Sequence, residues 1–178
     1  MFLKLKKNNQ NKRGKNPAIG ISLIFIKPYF IYKIVPLNPS IQKKVISQLS
    51  SKLIMFGEDD LDEVDFLKEI FSSLDASFSF LFFNNGRKLI AGLEQLPVDR
   101  LPCLIVLDYN MPELNGAEIL KVLRQNGRYN SIPKIIWSTS GSEIYKKLCL
   151  DSGANDYLIK PSNIKELEDI ARRLLSFC

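Results

Sequence analysis

The chain has 178 residues, with 25 Lys or Arg against 19 Asp or Glu, three cysteines and no histidine. Without an imidazole it cannot itself be a histidine kinase or a histidine phosphotransfer protein, and three cysteines with no CxxC or zinc spacing read as free thiols in a reducing cytosol. The net charge of +6 is an uneven average: residues 1–50 hold ten Lys or Arg and no acid, while the remainder, with 15 basic and 19 acidic groups, sits near −4. Reading a nucleic-acid binder from the overall pI of 9.2 is therefore excluded.

Residues 1–50 are predicted to be a basic, disordered or weakly ordered extension. Met1 to Asn16 is rich in Lys and Asn and shows no helical or strand period. Ala18 to Ile26 is apolar but stops at Lys27-Pro28, whereas a membrane span needs ~20 residues. A basic start and short apolar run imitate a signal peptide, yet no clear small-residue cleavage site follows. A membrane-surface contact through Lys27, Tyr29, Phe30, Tyr32 and Lys33 is a second reading, and a later translation start is a third. The extension or the artefact is favoured over an anchor.

From residue 51 to 178 the pattern alternates strand and helix. Lys52 to Gly57 is a predicted strand. A helix over Leu61 to Ser73 follows, with Leu61, Val64, Leu67, Ile70, Phe71 and Leu74 near helical period. Asp60 is placed to cap it, with Glu63 three residues on as a capping-box partner. Ser77 to Phe83 is a second strand, closed by the Asn84-Asn85-Gly86 turn, and Arg87 to Gln95 a second helix. The apolar run Cys103 to Leu107 then delivers Asp108, followed by Tyr109-Asn110-Met111-Pro112 and Asn115-Gly116. A helix over Ala117 to Gln125, a strand over Pro133 to Trp137 and a helix over Glu143 to Leu150 come next. A strand over Asp156 to Ile159 and a helix over Ile164 to Phe177 complete the series, with Leu167, Ile170, Leu174 and Leu175 inward. Five short strands interleaved with five helices predict an α/β fold, a parallel sheet covered on both faces.

The chemistry lies where the strands end. Glu58-Asp59-Asp60, Asp108, Ser138-Thr139-Ser140 and Lys160-Pro161 each follow a strand, and open α/β sheets bind ligands beyond the carboxyl ends of their strands. Acids, a hydroxyl and a lysine on one edge suit a divalent cation and a phosphoryl group. Any one of these elements is common, but four in order are specific. The set Glu-Asp-Asp, Leu-Asp-Tyr-Asn-Met-Pro, Ser-Thr-Ser and Asp-Tyr-Leu-Ile-Lys-Pro resembles the response-regulator receiver domain of two-component signalling, over Lys52 to Cys178.

That resemblance implies a doubly wound, flavodoxin-like sheet of strand order 2-1-3-4-5. It implies Asp108 as phosphoacceptor, and Mg²⁺ held by Asp59, Asp108 and the Asn110 carbonyl, with Glu58 acting mostly through water. Lys160 is implied to bind phosphoryl oxygens, aimed by a cis Lys160–Pro161 bond. Ser138 becomes the hydroxyl that meets the phosphoryl group, and Tyr157 the aromatic that moves with it. Gly57 departs from the family's apolar residue and is expected to loosen the acidic loop without removing a ligand. The blander readings are helix capping for the acids, which suffices for Asp60, a surface lysine for Lys160, and a half-buried strand aromatic for Tyr157.

Three functions compete. A stand-alone receiver would take phosphate from a histidine kinase or phosphotransfer protein and signal through the face of its fourth helix, fifth strand and fifth helix, from the cytoplasm and without touching DNA. The last helix running to Cys178 supports that expectation. A phosphatase or phosphotransferase of the haloacid-dehalogenase type needs an acid two residues after its nucleophile, where this chain has Asn110. A pseudo-receiver that only binds a partner would not need the full set of acids, hydroxyl and lysine.

Overall fold

The computed structural model describes residues 52–178. The expected extension over residues 1–50, with its membrane contact and its alternative start, lies outside the described residues. The apolar runs form β1 (Lys52–Gly57), β2 (Phe78–Phe83), β3 (Leu104–Asp108), β4 (Lys134–Ser138) and β5 (Asp156–Ile159). Between and after them come α1 (Leu61–Leu74), α2 (Gly86–Gln95), α3 (Gly116–Arg124), α4 (Glu143–Asp151) and α5 (Ile164–Leu175). All strand pairs are parallel, in the order β2-β1-β3-β4-β5, the expected doubly wound topology. No described helix is long and apolar enough to cross a membrane.

Each sheet face carries its own core because successive strand residues point to opposite sides. On one face Met55, Ile105, Leu107 and Ile136 pack with Leu89, Leu93, Leu120 and Cys149 from α2, α3 and α4. On the other, Ile54, Phe56, Val106 and Trp137 pack with Leu67, Phe71 and Leu174 from α1 and α5. Every residue of β3 and β4 is buried. These central strands are thus locked in register, since a slip of one residue would exchange their two faces. What they carry at their C-terminal tips is held as firmly as the core.

Two local expectations need correction at α1. Asp60 does cap the helix, accepting from the Asp62 and Glu63 amides at 2.8 and 3.3 Å. The return half of the capping box is absent, because the Asp60 amide donates to Glu58 Oε1 at 3.2 Å and Glu63 is engaged elsewhere. Leu61, which periodicity put on the apolar face, is 72% exposed. As the first helical residue it stands at the edge of the sheet, beyond the layer that buries Val64 and Leu67.

Two glycines matter for the site. A Cβ on Gly57 would lie 2.6 Å from Met111 Cε and 2.7 Å from its Sδ. The residue expected to loosen the acidic loop instead makes room for a buried methionine, and the Glu58 amide is tied to the Phe83 carbonyl at 2.9 Å. At Gly116 a Cβ would meet the Asp108 carbonyl oxygen at 3.0 Å. A side chain there would push the start of α3 away from the end of β3.

The cysteines also differ from expectation. Cys103 and Cys178, taken as free thiols, are disulfide-bonded with Cα atoms 5.2 Å apart. Spacing along the chain could not reveal this, because the bond joins positions 75 residues apart that meet only when the end of α5 folds back beside the start of β3. Cys149 is free and buried.

Candidate functional site

At the C-terminal edge of the sheet the loops after β1, β3, β4 and β5 converge. Glu58 follows β1 directly, Asp108 ends β3, Ser138 ends β4 and Lys160 follows β5. Pairing places Asp108 beside Trp137 and Ser138 beside Ile159. The Lys160 amide donates to the Ser138 carbonyl at 2.7 Å, extending the β4–β5 ladder by one rung. That hydrogen bond fixes where the lysine leaves the sheet.

The lysine side chain is 9% exposed and meets three carboxylates. Its Nζ lies 2.6 Å from Glu63 Oε2, 2.9 Å from Glu58 Oε2 and 3.3 Å from Asp108 Oδ2. Burial alone would lower the ammonium's pKa, but the hydrogen bonds it donates to Glu63 and Glu58, together with the Glu58 and Asp108 charges, hold it above the usual value. Glu58 shows the opposite balance. Its side chain is 1% exposed, and loss of water raises its pKa to about 7 despite the Lys160 contact, with Asp108 and Glu63 adding repulsion.

Carboxylate oxygens of Glu58, Asp59 and Asp108 lie within 4.8 Å of one another. Asp59 is exposed, whereas Glu58 and Asp108 are buried. Hard oxygen donors with one open side fit a small divalent cation that keeps several waters. Asn110 is exposed, and its amide donates to Asp108 Oδ1 at 3.0 Å, so the Asp108 loop folds back on the carboxylate it presents.

The hydroxyl side of the site is wired through one loop residue. Ser138 is fully buried and its Oγ accepts from the Ser140 amide at 3.1 Å. Tyr157 is buried too, and its phenol donates to the Ser140 carbonyl at 2.7 Å. Ser138 and Tyr157, singled out separately by sequence, thus hold opposite ends of the same residue.

A family model described as the response regulator receiver domain matches residues 54–172. The chain belongs to the receiver family. Among its similar proteins, the chemotaxis protein CheV2 of Helicobacter pylori is 31% identical over 71% of this chain and 40% of its own length. The two-component response regulator ORR3 of rice is 34% identical over 47% of the chain and 63% of its own. The chain thus spans less than two thirds of these curated relatives. Among solved structures, the Mn²⁺-bound response regulator Rcp1 is 27% identical, covering 71% of this chain and 93% of that one, with a TM-score of 0.62. The phosphorylated cyanobacterial phytochrome response regulator RcpA is 25% identical over the same shares, with a TM-score of 0.65.

Receivers belong to two-component signalling, interact with histidine kinases or phosphotransfer proteins, and are characteristically phosphorylated on aspartate. In this receiver one inherited expectation fails. Among the described residues no peptide bond is cis, so Lys160–Pro161 is trans. The ladder hydrogen bond to Ser138 and the pull of three carboxylates bring the lysine in without that isomer. Two further features escaped the sequence reading. Glu63 was assigned to the helix cap yet makes the shortest contact to Lys160. Tyr109, next to Asp108, stacks on Tyr145 of α4 with centroids 5.0 Å apart. The available signal for Glu63 was its place one turn beyond the acidic pair. For the two tyrosines, 36 residues apart, there was none.

Proposed function

We propose that this receiver accepts a phosphoryl group on Asp108 from a phosphohistidine on a kinase or phosphotransfer partner, and signals by a change of protein–protein affinity. The observation that carries this reading is Lys160 Nζ meeting Asp108 and the buried Glu58 at the strand edge. A carboxylate oxygen of Asp108 attacks phosphorus, a new O–P bond forms as the donor's P–N bond breaks, and the imidazole leaves. Lys160 offsets the charge gathering on the phosphoryl oxygens. A bound Mg²⁺, held by Asp59, Asp108 and the Asn110 carbonyl with Glu58 acting through water, would supply the rest of that neutralisation. Any activity of its own would be limited to taking and shedding this group.

The output follows from the Ser140 loop. Ser138 Oγ accepts from the Ser140 amide and keeps its O–H to donate to a phosphoryl oxygen, so a shift of the hydroxyl toward that group pulls on Ser140, the residue that Tyr157 also grips. The start of α4 comes shortly after, with Ile144, Tyr145, Leu148 and the β5 residue Ile159 exposed on the neighbouring face. A downstream protein docking on α4, β5 and α5, with no DNA contact, is the reading these residues support. A bound group shifts the loop only by its differential affinity for the two positions.

Acetyl phosphate with Mg²⁺ should add one phosphoryl mass, read by intact mass spectrometry, and omission of Mg²⁺ or Asp108→Ala should abolish it. Phosphate gained by Asp108→Ala would sink the assignment. Ser138→Ala should still be phosphorylated, yet lose most of the amide-exchange difference over residues 141–159 between free and beryllofluoride-bound protein. An undiminished difference would overturn the switch.

A cytoplasmic location completes the proposal. The Cys103–Cys178 bond argues the other way, since disulfides are rare in a reducing cytosol. Thiol alkylation at the moment of cell lysis separates the two cases.

A further inference from the structure

Lys160 holds one carboxylate more than the phosphoacceptor reading uses. Glu63, in the first turn of α1, is its nearest partner at 2.6 Å, against 2.9 Å for Glu58 and 3.3 Å for Asp108. An ammonium group offers three N–H donors, and here three carboxylates surround it. A phosphoryl oxygen arriving on Asp108 can gain full contact with Lys160 only if an existing acceptor yields.

Asp108, the longest of the three contacts, carries the arriving group and stays beside the lysine, so the choice lies between Glu58 and Glu63. The Glu58 side chain is 1% exposed, and removing its ammonium would leave a buried charge unpaired. Glu63 is 35% exposed, so water can replace the lysine at small cost. Glu63 is also free of the capping task, since the Asp60 amide bonds Glu58 instead. It stands outside the Glu58, Asp59 and Asp108 cluster, beside Lys160. There it lines a cleft of about 150 Å³ with Phe66, Trp137 and Pro161. Its charge therefore acts on Lys160 without belonging to the acids that would hold the cation.

We propose that Glu63 is a positioning residue that competes with the incoming phosphoryl group for Lys160 and so restrains phosphorylation of Asp108. This rests on the phosphoacceptor reading above. The full chain carrying Glu63→Gln keeps the side chain's shape and removes its charge; Glu63→Ala removes both. Each should be phosphorylated by acetyl phosphate about fivefold faster than wild type at low ionic strength, the ratio that ~1 kcal/mol of a part-exposed ion pair represents. Each should also bind beryllofluoride more tightly, followed by the fluorescence of Trp137 in the same cleft. The gap should narrow as salt is raised, because exposed charges are screened, and Glu63→Asp should return the rate toward wild type. A purely structural Glu63 would change urea stability but not this salt-dependent gap. If wild type takes phosphate and the Gln and Ala variants do so no faster, the inference is wrong and the reading of Asp108 stands. If wild type takes none, both fall.

Discussion

Lys160→Met should lower the stability of the domain by about 3 kcal/mol at pH 7.5 in metal-free buffer. The lysine is the cation shared by Glu63, Glu58 and Asp108, and its own side chain is only 9% exposed. Removing it deletes no large apolar volume, since methionine fills much of the stem's space. It does leave the Glu58 and Asp108 carboxylates inside the protein without their counter-charge. The effect should depend on pH in a defined direction. Glu58 has a folded pKa raised from 4.5 to about 7 even with the lysine present. Its cost to folding is therefore absent below pH 4.5, grows between 4.5 and about 7, and is complete above that. Without Lys160 the folded pKa rises further, so the variant's deficit should be smaller at pH 5.5 than at pH 7.5. Urea titrations of both proteins at the two pH values measure it. A deficit equal at both would assign the loss to packing rather than to unpaired charge.

Reduction of the Cys103–Cys178 bond should cost about 4 kcal/mol, because opening a loop of 75 residues returns that much chain entropy to the unfolded state. For a domain of this size the melting temperature should fall by roughly 10–15 °C. The bond fastens the C-terminus, where Lys52 Nζ also donates to the Cys178 carbonyl at 2.8 Å, to the residue that enters β3. It thus sits at the opposite end of β3 from Asp108. Phosphorylation by acetyl phosphate should consequently be unchanged by reductant at temperatures where both forms are folded. Thermal melts with and without dithiothreitol, with Cys178→Ser as the control that cannot re-form the bond, provide the measurement. Coincident melts of oxidised and reduced wild type would show that the link adds nothing to stability.

The parts of this protein legible in its sequence are those set by local chemistry. The run Leu104–Leu107 is apolar on both parities, so it had to be a strand buried on both faces, and Asp108 had to stand at its tip. The helix expected from Ala117 begins one residue earlier, at Gly116 with Asn115 as its cap, and Lys160 before a proline had to end the last strand. Strand boundaries fell within one residue, and the last helix stopped two residues early at Leu175, because apolar period and turn residues act over a few neighbours. Glu58, Asp108, Ser138 and Lys160 stand out in the sequence for the same reason: each is the polar residue that closes or directly follows an apolar strand run.

What only the tertiary structure decided is which side chains meet across the chain. Lys160 and Glu58 are 102 residues apart, and nothing local says that Glu63 would leave its helix cap to join them. A carboxylate at an exposed helix start has two outlets, a backbone N–H nearby or a cation brought in by folding, and the Lys160 ammonium, 2.6 Å away, is the stronger partner for that charge. The same holds for Cys103 with Cys178 and for Tyr109 with Tyr145, whose partners arrive on different elements. Leu61 follows the helical period and still faces water, because periodicity names a face of the helix but not how far the sheet beneath it extends. Pairing depends on the distances between elements, and those exist only once the sheet has formed.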